Sequence, residues 1–106
     1  MLADAPDRDS LLQIWQNDAI SDSTRLEAIT SMIRNHYERS NPDSAKILSL
    51  QMLRTAEETN NELYQAKAKF MIGNAYVRLG DYPEAERWHL QAVKLWKKVE
   101  KLPEKK

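Results

Sequence analysis

Between Ala66 and Val93 the chain reads A-K-A-K-F-M-I-G-N-A-Y-V-R-L-G-D-Y-P-E-A-E-R-W-H-L-Q-A-V. Two helical patterns meet there at Gly80-Asp81-Tyr82. Ahead of the turn Ala68, Ile72, Ala75, Tyr76 and Leu79 recur at helical spacing, and behind it Ala85, His89, Ala92, Val93 and Trp96 do the same. Gly80 suits the left-handed backbone that ends a helix. Asp81 and Pro83 suit the start of the next, because a proline in a first turn loses no needed N–H. Small residues (Gly73, Ala75, Ala85, Ala92) stand among large ones (Phe70, Ile72, Tyr76, Trp96), a composition that lets two antiparallel helices approach closely and interlock. A helical hairpin is predicted.

The run G-N-A-Y-x-x-L-G-D-Y-x-E-A, from Gly73 to Ala85, together with Ala92, resembles a tetratricopeptide repeat. Three positions depart from that pattern. Lys69 takes the place of an early bulky residue, with Phe70 beside it. His89 stands where an aromatic is usual, and no proline follows Leu95. The last helix is therefore expected to run to about Lys101, before Pro103. The resemblance implies an all-α fold of antiparallel helical hairpins stacked as a short right-handed solenoid of about five helices.

An earlier, degenerate unit precedes this one. Thr24-x-x-Glu27 fits a capping box. Leu26, Ile29, Ile33 and Tyr37 share a face of a helix predicted to reach Arg39, and Ser40-Asn41-Pro42-Asp43 repeats the turn-plus-proline pattern. A following helix over 42–59 would bury Ala45, Leu48, Met52, Leu53 and Ala56, and Asn60-Asn61 closes it. Ala45 aligns with Ala85 forty positions on, whereas Ile33 and Tyr37 align with Ile72 and Tyr76 at thirty-nine. Arg34 then stands in the place of Gly73. Asp7 or Asp9 can cap a short helix to Asn17, with Leu11, Leu12, Ile14 and Trp15 as its apolar side. So short a helix is marginal alone and must pack on its neighbour.

The expected organisation is one domain over 1–106. It comprises a capping helix over 7–17, a degenerate repeat over 22–61, a better-matched repeat over 62–103 and a truncated tail over 104–106. Met1 to Pro6 reads as a loose tail without the pattern of a signal peptide. Lys101-Leu102-Pro103-Glu104 corresponds to the inter-unit link at Asn60-Asn61-Glu62, so a repeat-boundary fragment or an engineered chain is expected. The segments Ser10–Trp15, Thr24–Ile29, Asn41–Ala45 and Gly80–Ala85 are similar to repeats that precede output domains in bacterial signalling proteins, among them histidine kinases and nucleotide cyclases.

Chemistry is not apparent in the pattern. The two histidines, His36 and His89, have no His-x-x-x-His spacing, acidic cluster or serine elbow near them. His89 reads as a packed repeat residue. Gly73 and Gly80 lack the glycine–lysine–serine/threonine step of a phosphate loop. The chain has no cysteine, hence no disulfide and no thiolate ligand, and this leaves the compartment, cytoplasmic or periplasmic, open. Its formal net charge of +0 argues against general nucleic-acid binding. No apolar stretch is long enough for membrane insertion. No enzyme activity, cofactor or metal is expected.

Binding by surface complementarity remains. First helices of stacked units line a concave face. Arg34, Glu38, Lys67, Asn74, Val77 and Arg78 are the candidates for a protein or peptide partner, with Asn74 and Arg78 one turn apart presenting an amide and a guanidinium together. The last helix carries more apolar residues than one stripe needs. Trp88, Leu95, Trp96, Val99 and Leu102 are candidates for self-association into a homo-oligomer, and an exposed tryptophan lying under lysine stems is the alternative. Acidic residues gather before Ser23 and lysines after Val93. Such a split fits solvated helix ends, head-to-tail attraction between chains or an acidic partner.

Overall fold

The structure, a computed structural model, describes residues 7–100. They form α1 (Arg8–Gln16), α2 (Asp22–Met32) prolonged by a π-helical turn (Ile33–Tyr37), α3 (Pro42–Glu58), α4 (Glu62–Leu79) and α5 (Tyr82–Val99). The result is an all-α repeat of antiparallel hairpins, with no strand among the described residues. Leu102 and the expected tail over 104–106 lie outside the described residues.

Helix starts recur every twenty residues. Ser21, Asn41, Asn61 and Asp81 each accept the backbone N–H three residues on, from Thr24, Ser44, Tyr64 and Glu84. These side chains satisfy donors that the first turn leaves unpaired. Asp7 does the same for α1 through Ser10 N at 2.8 Å, and that donated bond holds its carboxyl below the ordinary carboxylate range. The capping box expected at Thr24 and Glu27 is corrected to Ser21, whose Oγ takes the Thr24 amide and also donates to Thr24 Oγ1. Glu27 sits too far into the helix to reach back, and bonds elsewhere.

The helix ends differ between the units. In α3 and α4 a left-handed residue, Asn60 (φ 56°) or Gly80 (φ 85°), closes the helix. Asn61 N then bonds Ala56 O at 2.8 Å and Asp81 N bonds Tyr76 O at 2.9 Å, the paired pattern of a glycine-type helix stop. No such residue ends α2. Its regular turns give way after Met32 to the π-helical turn, where Glu38 N reaches Ile33 O at 2.8 Å, and this corrects the regular helix predicted to Arg39.

Packing follows chain order, with α1 on α2, α3 on α4 and α4 on α5. The core holds Leu26, Ile29, Met32, Ile33, Met52, Ala56, Ala68 and Ile72, all fully or nearly fully buried. Two buried hydroxyls, Thr30 and Ser49, donate to the carbonyls of Leu26 and Ala45 at 2.7 Å, so they cost no unpaired donor. Arg25 ties α1 down. Its Nε donates to Trp15 O at 2.9 Å, its guanidinium lies 5.3 Å from the Trp15 ring centre, and Asp18 and Asp22 pair with it. Between α4 and α5, Ala75, Ala85 and Ala92 are buried in the interlock as expected, but Phe70 is 47% exposed and stacks on the His89 ring with centroids 5.2 Å apart. At Gly73 the ring of His89 already fills the space a side chain would need.

Candidate protein-interaction surface

Four of the six residues read as a binding face meet in one groove. Glu38, from the end of the π-helical turn, lies opposite Asn74, Val77 and Arg78 from the last turns of α4, around a space of about 450 Å³. The α4 residues are three and four apart, which puts them on one side of the helix. Arg78 is exposed and has neither hydrogen bond nor ion pair among the described residues, so its five donors are available. Asn74 differs from expectation in being engaged at both ends. His89 Nε2 lies 3.0 Å from its Oδ1, and its Nδ2 lies 3.5 Å from Glu38 Oε2. It therefore ties α5 to α4 and reaches toward Glu38 at the outer limit of hydrogen-bond distance. The guanidinium is on offer; the amide is largely committed.

The other two candidates lie apart. Arg34 is exposed on the π-helical turn and does not line the groove. Lys67 sits further up α4, its Nζ 4.6 Å from the ring centre of Tyr64. Tyr64 belongs to a second groove of about 370 Å³, with Leu11, Ile14, Thr24, Glu27 and Ser31. The sequence pattern does not reveal it, because Glu27 fits a local capping pattern and nothing local brings Tyr64 to it. Here the Tyr64 hydroxyl donates to Glu27, joining α4 to α2. Burial first, then the bond to Glu27 and its charge, push the phenol from 10.0 up to about 12.

That shift has a direction in stability. The folded value lies above the unfolded one, so the contribution is whole below about pH 10 and lost as pH rises to about 12. Urea midpoints measured across this window are expected to fall more steeply for the native chain than for Tyr64→Phe, which has no proton to lose. Parallel curves would assign the alkaline loss to other groups.

The residues proposed for self-association divide. Trp88 packs against the core. Leu95 and Val99, at seven and eleven residues from it, recur on the same side of α5 and are half-buried. Trp96 instead lines a groove of about 320 Å³ with Phe70, Ala92 and Val93. Its indole N–H donates to Glu100. Of the described members of this set only Trp96 lines that groove, and Phe70 and Val93 are the neighbours the sequence reading left out.

Among the described residues no helix is long and apolar enough to cross a membrane, and no three His, Asp or Glu side chains gather at metal-binding distance. Helical hairpins with periodic caps define an all-α repeat protein. Residues 71–101 match the family model described as tetratricopeptide repeat, which supports a tetratricopeptide-repeat family for this chain. No curated protein and no solved structure matches it.

Proposed function

We propose that the chain is a non-enzymatic protein-interaction module whose peptide-facing site is the groove of Glu38, Asn74, Val77 and Arg78. The observation that carries this reading is the placement, across about 450 Å³, of the unpartnered Arg78 guanidinium opposite the Glu38 carboxylate. A peptide carboxylate or acidic side chain suits Arg78, and a backbone N–H suits Glu38. The tetratricopeptide match supports protein binding in general. The resemblance to repeats ahead of bacterial output domains supports a sensory or scaffolding role within a larger signalling protein. The units over 22–61 and 62–103 are the repeats of that module, with α1 as their amino-terminal cover.

Peptides selected on the immobilised protein from a random display library provide the test. Arg78→Ala is expected to weaken their binding about tenfold or more, the scale of a lost charge-assisted hydrogen bond. Substitutions at Gln51 and Arg54, on the outer side of α3, should leave it unchanged. Equal affinity in Arg78→Ala would remove the groove from consideration.

A second reading is structural self-assembly, of a natural or an engineered repeat scaffold. It is favoured by the apolar groove of Phe70, Val93 and Trp96, which has no covering helix among the described residues.

A further inference from the structure

The two units are in one respect unequal. Ser49, Met52, Leu53 and Ala56 of α3 are all buried, in a helix packed against α4. Forty residues on, their counterparts in α5 are His89, Ala92, Val93 and Trp96. Of these Val93 is 49% exposed, with Phe70 beside it. The second unit thus leaves Val93 open where the first unit buries Leu53, while Ala92 is buried and His89 and Trp96 are half-buried.

Through Val93 runs a stripe on α5: Glu86, Leu90, Val93 and Lys97, all exposed. The spacing of four, three and four is that of a coiled-coil seam. Glu86 and Lys97, at the two ends of the stripe, have no hydrogen bond or ion pair among the described residues. The helix is also polarised. Its first half holds Glu84, Glu86 and Arg87, with Arg87 paired to Glu84, and its second half holds Lys94, Lys97 and Lys98, with Lys98 paired to Glu62. Glu86 at one end and Lys94 and Lys97 at the other are therefore the charges without an ion pair among the described residues. A parallel copy would set like charge on like. An antiparallel copy sets Glu86 against Lys97, Leu90 against Val93, and repeats both contacts in reverse, which is the self-complementarity a two-fold interface requires. Helix α3 carries the same spacing at Lys46, Leu50, Leu53 and Glu57, but Leu53 is only 8% exposed and Lys46 lies 5.1 Å from the Tyr76 ring centre, so no comparable seam is open there.

We propose that α5 pairs antiparallel with α5 of a second copy, about a two-fold axis between Gln91 and Ala92, with Leu90–Val93 contacts at the centre and Glu86–Lys97 pairs at both ends. This deepens the self-assembly reading by giving it a partner, an orientation and a register; the Phe70–Trp96 groove lies along its edge. It is independent of the Arg78 groove.

Sedimentation equilibrium of the whole chain over a wide concentration range tests it. A reversible dimer is expected, weakened by salt because its end pairs are exposed. Glu86→Lys, which sets lysine against Lys97 twice per dimer, should raise the dissociation constant about tenfold or more. Combining Glu86→Lys with Lys97→Glu restores opposite charges at both ends and should recover dimerisation. Both positions are exposed, so far-ultraviolet circular dichroism should stay constant through the series. A dimer indifferent to Glu86→Lys, or not rescued by the charge swap, would overturn the register and leave self-assembly standing. A monomer throughout would overturn both and leave the face to a helix from another protein.

Discussion

Replacing Trp15 with alanine is expected to lower the unfolding free energy by about 3 kcal/mol, toward the lower end for a buried aromatic because the site lies at the edge of the core. Trp15 and Leu11 are the two buried residues of α1, and α1 rests on α2. With only nine residues, α1 has too few internal hydrogen bonds to persist without that contact. The loss reaches beyond the indole. Arg25 packs on the ring and reaches the Trp15 carbonyl, so a loosened α1 also releases the guanidinium from both contacts. Chemical denaturation followed at 222 nm gives the magnitude. Native-state hydrogen exchange gives the location, with amides of α1 expected to lose protection before those of α4. A loss under about 0.5 kcal/mol, the scale of an ordinary surface substitution, would make α1 a loosely held arm and not the cover of the stack.

That α1 was legible at all shows what the sequence carried well. Apolar periodicity placed all five helices, since each buries a stripe that recurs at helical spacing. Turn chemistry placed the stops, because Gly80, lacking a Cβ, takes the left-handed backbone and the Asp81 carboxylate caps the next first turn. Other features depended on distances that periodicity does not contain. The π-helical turn, in which Glu38 N bonds Ile33 O, has no signature in the apolar periodicity, which runs through Ile33 and Tyr37 as in a regular helix. Glu27 satisfies a capping pattern locally, and only tertiary packing brings the Tyr64 hydroxyl to it from α4. The groove divides along the same line. One-turn spacing put Asn74, Val77 and Arg78 together, whereas the commitment of Asn74 to His89 and Glu38 joins three helices and has no local signature. Phe70 misled because a large apolar residue in a strong helix reads as core, and its exposure depends on whether another helix lies above it.

Gly73→Ala is expected to cost about 2 kcal/mol in this protein and to become neutral or mildly stabilising in a His89→Ala background. The first part is steric. A Cβ at Gly73 would stand 2.5 Å from His89 Nε2 and 2.9 Å from its Cγ, so the ring must leave. Its departure is opposed by the stack on Phe70 and by the hydrogen bond to Asn74. Overpacking of this kind costs about 1–3 kcal/mol, from which alanine's better helix propensity recovers up to about 1 kcal/mol. With His89 truncated the clash is gone and the propensity remains, so the sign of the substitution changes. A double-mutant cycle measured by urea denaturation reads this as a coupling on the order of 2 kcal/mol. A Gly73→Ala cost that persists unchanged in the His89→Ala background would show that α4 and α5 approach too closely for a methyl whatever occupies position 89. The same substitution bears on binding. A displaced His89 ring releases Asn74 Oδ1, and Asn74 itself lines the groove between Glu38 and Arg78. If the groove is the peptide site, Gly73→Ala should weaken binding of the selected peptides while the fold remains intact. The glycine that lets the hairpin close would then also set the geometry of the surface the hairpin presents.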